Sequence, residues 1–213
     1  MIGRQRDNSM VVESLVPLLN GLIDRFIDLE KHKITQRKEM FEKIFEPNFN
    51  DLQTVHATYL ELFRRLSYEL DEVVELPDSV ARLTRIKELT TEIEGQRPTL
   101  YASRDKVRAF TRVLLKEKGL KKKGLPKEEE ILVAAFRTYF ETLFRNWNKD
   151  EYASDLTTIM EHLNDVLTIK DAEPMSVAVS GRAAVSAALD LQEAWTEVLA
   201  AFADLKVRIV SLH

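Results

Sequence analysis

The chain has 213 residues, with 31 Lys and Arg against 35 Asp and Glu, and its formal net charge is −4. It contains no cysteine, which excludes a disulfide scaffold, a thiolate zinc site and a cysteine nucleophile. Only six glycines and six prolines interrupt a sequence rich in helix-forming residues, which is typical of an all-α protein. No run of 18 apolar residues and no cleavable leader is recognisable, so we expect a cytoplasmic protein without a membrane span.

The first predicted helix runs from Ser9 or Val11 to about Phe45. Its apolar residues recur at alternating steps of four and three, which places them on one helix face. These residues are Leu15, Leu19, Leu22, Phe26 and Leu29. We expect Pro47 to end this helix, because the residue before a proline is disfavoured in the helical conformation.

A second helix is predicted over about residues 50–74, and a third begins at about residue 78. The third has an apolar residue at every seventh position: Ile86, Ile93, Leu100, Val107 and Leu114. Gly95 and Pro98 lie inside that run, so we expect a kink or a break between residues 95 and 99.

Residues 116–127 are rich in lysine and contain two glycines and one proline, which predicts a flexible basic loop. Further helices are predicted over 128–147 and 151–169, and the last begins at Met175 or at Gly181. The last helix has the most regular stripe: Ala184, Ala188, Leu191, Trp195, Val198, Phe202, Leu205 and Ile209. Alanines flank this stripe, so we expect neighbours on more than one side of the helix.

These elements predict a single all-α domain over residues 1–213, folded as an antiparallel bundle of about five to seven long amphipathic helices. Apolar stripes with a mean spacing of 3.5 residues are typical of helices that pair as in coiled coils. Long helices of this kind often associate further, so we expect an oligomer or a complex. The partner would be another protein or a second copy of this chain.

Motifs that would indicate a metal or a cofactor are missing from the sequence. None of the four histidines follows a glutamate by three residues, which is the spacing that di-iron bundles require. Glycine-rich phosphate loops and the Gly-x-Ser-x-Gly nucleophile motif are also absent. We therefore expect no metal and no cofactor.

Two arginine–histidine pairs leave one catalytic alternative open, namely Arg25 with His32 and Arg208 with His213. A similar spacing marks the active site of HEPN-type ribonucleases, which are small all-α proteins. The arginine would stabilise charge that develops on a phosphate while the histidine acts as general acid or base. In both pairs the arginine is followed by an apolar residue, where those enzymes usually have a polar one, which favours ordinary solvated side chains.

Charge is distributed unevenly along the chain. Residues 78–127 contain fourteen Lys and Arg against six Asp and Glu, whereas residues 128–213 contain seven against fifteen. The candidate residues for binding an anionic partner follow steps of about four along the third helix and continue into the loop: Arg97, Arg104, Arg108, Arg112, Lys116, Lys121, Lys122 and Lys123. Such a face can neutralise nucleic-acid phosphates or meet an acidic protein. Alternatively, the acidic later helices pair with it inside the fold.

Aromatic residues cover more than one face of the fourth predicted helix. Phe144 and Trp147 extend past the arc that faces the core and are candidates for docking another protein. The leading hypothesis is therefore a non-catalytic helical interaction or adaptor protein. The alternatives are a nucleic-acid-binding protein that uses residues 97–127 and an HEPN-like ribonuclease.

Overall fold

The computed structural model describes residues 34–116, 127–143, 154–170 and 172–211. In these ranges the chain is helical apart from short connections and contains no strand, so the predicted all-α class is confirmed. The elements, in chain order, are α1 (Ile34–Met40), a π-helical segment (Phe41–Phe45), α2 (Glu46–Val74), α3 (Ser79–Lys116), α4 (Lys127–Leu143), α5 (Asp155–Ile169) and α6 (Pro174–Ser211). None of the described helices is both long and apolar enough to cross a membrane.

Pro47 does not end a helix, and that prediction is wrong. The chain is helical without interruption from Ile34 to Val74, and the π-helical segment lies immediately before the proline. In this segment the Glu46 N–H donates to the carbonyl of Phe41, five residues back, which widens the turn that the proline ring must enter. The side-chain amide of Asn48 also donates to the Ile44 carbonyl, one turn back, at 2.7 Å.

Of the kink or break predicted between residues 95 and 99, the break is absent, because α3 continues through Pro98. Gly95 and Pro98 are both exposed, whereas Ile93 and Leu100 are buried on the other side of the helix. The Glu94 carbonyl that lacks a proline N–H partner can therefore bond to water. Burial of the apolar side keeps the two halves of α3 helical.

The last helix begins at Pro174, and the shorter alternative that starts at Gly181 is wrong. Proline suits the first turn of a helix, because the N–H that it lacks would have no partner there. Gly181 lies buried inside α6, where an added Cβ would stand 3.6 Å from Leu70 Cβ and 3.5 Å from Asp71 Oδ1. A side chain at this position would therefore make ordinary van der Waals contacts with α2.

The chain divides into two compact units. The first unit comprises Met1–Val55, Tyr101–Thr138 and Thr196–His213, and the second comprises His56–Leu100 and Tyr139–Trp195. In the first unit, the ring of Phe202 stacks on Phe49 with 3.7 Å between centroids and on Phe41 with 5.4 Å. These rings join α6 to α2 and to the π-helical segment.

The second unit is held partly by an arginine that binds two connecting segments. Arg82 is 9% exposed, and its guanidinium donates to the carbonyls of Leu76 and Ala172, each at 2.6 Å. The first carbonyl follows α2 and the second precedes α6. Ion pairs between α2 and α3 add to this arrangement, with Arg65 bonded to Glu92 and Arg85 bonded to Glu69.

Candidate functional site

The structure places two central residues of the predicted basic face inside the first unit. Arg104 is 1% exposed and Arg108 is 6% exposed. The guanidinium of Arg104 lies 4.0 Å from the centre of the Tyr101 ring and donates to Asp105 at 3.1 Å. A guanidinium enclosed in this way is directed to partners within the fold, because a phosphate outside cannot approach it without desolvation and rearrangement.

The remaining candidates of the basic set are dispersed or not described. Arg97 belongs to the second unit, where it forms an ion pair with Glu94 at 2.7 Å. Arg112 and Lys116 belong to helix α3, but their side chains lie outside the described part of the structure. The other predicted candidates also lie outside the described residues: Lys121, Lys122, Lys123, Phe144, Trp147, Arg25, His32 and His213.

The acidic start of α4 contacts arginines from two other helices of the first unit. Arg37 binds Glu129 in a two-pronged contact, with Nε–Oε1 at 3.0 Å and Nη2–Oε2 at 2.9 Å. Glu129 is 1% exposed, so this is an almost enclosed pair. Glu128 contacts Arg37 at 3.5 Å and Arg208 at 3.4 Å. Its pKa is lowered by backbone hydrogen bonding and by the two arginines, with burial opposing the shift.

A second polar cluster lies in the interior of the second unit and carries no charge. The ring of His56 stacks on Trp195 with 4.7 Å between centroids, and its Nδ1 lies 3.2 Å from the Tyr139 hydroxyl. Burial and the nearby Arg64 lower the pKa of His56 to about 4, and burial raises the pKa of Tyr139. The imidazole is therefore neutral and the tyrosine protonated, so this hydrogen bond joins two uncharged groups. His56 is 7% exposed and Tyr139 is 0% exposed, so the cluster stabilises packing rather than meeting a ligand.

A third arrangement brings together a histidine and a serine without nucleophilic geometry. His162 Nδ1 lies 2.7 Å from Ser180 Oγ in the second unit, but the serine is only 2% exposed. An acyl-transfer nucleophile must reach its substrate, whereas this hydroxyl faces the packed side of α6. Within the described residues, no group of three or more His, Asp or Glu side chains is placed to hold a metal ion.

The exposed apolar side chains of α6 are the remaining candidate. Of the eleven large apolar side chains that are exposed in the described parts of the chain, seven belong to this helix. Four of them lie in the second unit, and their exposed fractions are 71% for Met175, 46% for Val179, 45% for Val185 and 60% for Leu189. Leu199, Val207 and Val210 are exposed in the first unit. We call the group of four the α6 apolar face.

The sequence contains a signal for this face that is separate from the buried stripe. Met175, Val179 and Leu189 lie on a line of steps of four and three whose two intervening positions are Arg182 and Ser186, displaced around the helix from the stripe that contains Ala184 and Leu191. The helix thus has one apolar stripe and a second line that is apolar at three of these five positions. Only the packing decides which of the two is covered within the chain.

No protein-family model, curated protein or solved structure matches this chain. The functional conclusion therefore depends on the described side chains and their surroundings. Among these, the enclosed polar groups serve the fold, and the α6 apolar face is directed towards solvent.

Proposed function

We propose that this protein is a non-catalytic helical interaction protein that binds another protein through the α6 apolar face, and that it does so in the cytoplasm. The observation that carries the proposal is the concentration of exposed large apolar side chains on one helix. Single exposed apolar residues are ordinary, whereas a group along one helix is typical of a surface that a partner covers. Covering these side chains would contribute on the order of 1 kcal/mol each.

The opposite side of the same helix supports the proposal. Val177, Ala184 and Leu191 are 0%, 0% and 1% exposed in the second unit, so they fix α6 against its neighbours. The exposed side chains are consequently presented on a helix that is already ordered. A partner that binds such a helix avoids most of the entropy cost of ordering it.

We also propose the antiparallel bundle that the sequence predicts. Two ion pairs between α2 and α3 support it, because Arg65 contacts Glu92 whereas the later residue Glu69 contacts the earlier residue Arg85. The contact between His162 of α5 and Ser180 of α6 across a short connection supports the same direction for the next pair. Helices joined by short connections are commonly antiparallel neighbours.

The nucleic-acid alternative gains less support from the described residues. Its central arginines, Arg104 and Arg108, are enclosed in the first unit, and Arg97 already pairs with Glu94. Nucleic-acid affinity depends on cations that replace the counterions of phosphates at the surface. The loop lysines would have to supply most of that binding.

Site-specific photo-crosslinking tests the proposal. A photoreactive amino acid is placed at Val179 or Leu189, and as a control at Ile131, which is 47% exposed on α4. We expect a defined protein to be crosslinked in cells from the two α6 positions and not from the control. The companion variant Val185→Glu should abolish the crosslink while leaving the helix content unchanged. Equal crosslinking from all three positions, or none from α6, would contradict the proposal.

A further inference from the structure

Four exposed residues of α6 form one line on the solvent side of the second unit. Arg182, Ser186, Leu189 and Glu193 follow steps of four, three and four, which keeps them on the same helix face. All four are exposed, and Leu189 is 60% exposed. We call this line the RSLE stripe; it runs along the α6 apolar face.

The RSLE stripe is complementary in charge and size to a second RSLE stripe that runs in the opposite direction. From one end it presents a cation, a small residue, a large apolar residue and an anion. When a second copy lies antiparallel about a two-fold axis between residues 187 and 188, Arg182 faces the other Glu193 and Ser186 faces the other Leu189. Each of these contacts occurs twice, as two-fold symmetry requires. A parallel pairing would instead place like charges side by side.

The two charged ends are available for such a contact. Within the described part of the chain, neither Arg182 nor Glu193 forms an ion pair or a side-chain hydrogen bond. Exposed ion pairs contribute little affinity, but they determine register and direction in paired helices. Burial of Leu189 over the small Ser186 would provide the apolar contact, and Val185, one turn away, flanks it.

We propose that the RSLE stripe pairs with the same stripe of a second copy in an antiparallel, two-fold symmetric contact. This inference rests on the proposed function and takes a second copy of the chain as the partner at Leu189, where the RSLE stripe and the α6 apolar face coincide. The stripe covers roughly 18 Å of one helix face. The area that such a contact buries is smaller than the area buried in an obligate dimer. The association is therefore weak and reversible.

Charge reversal provides the test by analytical ultracentrifugation over a concentration series. Arg182→Glu or Glu193→Arg alone places like charges together in both symmetric contacts and weakens self-association roughly tenfold. The double variant regains self-association. An equimolar mixture of the two single variants forms a heterodimer, because each supplies the charge that the other requires. Glu61→Arg, an exposed reversal on α2, leaves self-association unchanged.

Cysteine crosslinking provides an independent measurement, because the natural chain has no cysteine. A mixture of Ser186→Cys and Leu189→Cys chains forms a disulfide-linked heterodimer faster than Ser186→Cys chains alone form a homodimer. Equal rates would overturn the antiparallel register. Circular dichroism of each variant verifies that the helices are retained, so a loss of pairing is not mistaken for unfolding.

The outcomes separate this inference from the proposed function. A wild-type chain that is monomeric at millimolar concentration, or a dimer that is indifferent to Arg182→Glu, overturns the self-pairing. If Leu189 still crosslinks to a different protein in that case, the interaction function stands. If Leu189 crosslinks to no protein, both are overturned.

Discussion

The two units differ in the kind of polar side chains that they enclose. Each encloses polar side chains, but the first unit encloses charged groups, such as the pair Arg37–Glu129 and the cation Arg104. The second unit encloses a neutral hydrogen bond between His56 and Tyr139, and its buried Arg82 is bonded to backbone carbonyls rather than to a carboxylate. A buried charge needs partners that offset its desolvation, whereas a buried histidine can remain neutral by lowering its pKa. The units should therefore respond differently to truncation of a partner and to acid.

The largest expected effect tests the charged interior of the first unit. Arg37→Ala leaves the carboxylate of Glu129, which is 1% exposed, without its two-pronged partner. We expect a loss of about 3 kcal/mol in the free energy of unfolding, measured by urea denaturation. The double variant Arg37→Met, Glu129→Leu should recover most of this loss because it removes both charges. A single variant as stable as the wild type would show that Glu129 has another way to be solvated.

The next effect tests the neutral interior of the second unit by pH. The pKa of His56 is about 4 in the folded protein and about 6.5 when unfolded, so the unfolded chain binds the extra proton first as the pH falls. The stability that this group contributes is complete above pH 6.5 and is lost as the pH falls towards 4. Between pH 7 and pH 5 we expect a loss of about 2 kcal/mol.

Comparison with His56→Phe isolates this contribution from carboxylates that titrate in the same range. The difference in the free energy of unfolding between wild type and variant should change by that amount from pH 7 to pH 5. A difference that stays constant across this range would mean that His56 is protonated equally in both states. The assignment of a neutral imidazole would then be wrong.

A smaller effect tests the hydrogen bond itself. Tyr139→Phe removes the hydroxyl that is hydrogen-bonded to His56 Nδ1 at 3.2 Å and should cost about 1 kcal/mol. The same substitution in the His56→Phe background should cost clearly less, because the hydrogen-bond partner is already gone. Equal costs in the two backgrounds would indicate that the hydroxyl serves a different neighbour.

The smallest expected effect is that of a substitution at an exposed glycine of the second unit. Gly95→Ala adds a methyl group that meets no atom within 4 Å on the exposed side of α3. We expect a gain of about 0.5–1 kcal/mol, because alanine restricts the unfolded chain and favours helix. Thermal unfolding measures this gain in stability. Gly181→Ala, whose Cβ would contact α2, is the matched substitution at a buried glycine. A destabilised Gly95→Ala would indicate a strained backbone at this position.

The buried stripes could be predicted from the sequence, but the route of the chain through its prolines could not. Leu191, Val198 and Leu205 were expected inside and are at most 1% exposed. The helix through Pro47 includes a π-helical turn and an Asn48 side-chain hydrogen bond, which no spacing rule anticipates. The candidate site was harder to predict than the stripes. The spacing of Arg104 and Arg108 indicated a surface stripe, but both side chains are buried.

The sequence by itself determined that the chain is helical and which line of each helix is apolar, because propensity and spacing act over a few residues. The tertiary structure decided which polar groups are enclosed and which apolar side chains stay exposed. Arg104 shares a wide buried arc with Val107 because neighbouring elements cover more of α3 than one stripe. Leu189 remains exposed because the neighbours of α6 cover its other side. Burial is a property of the surroundings, and periodicity describes only the helix itself.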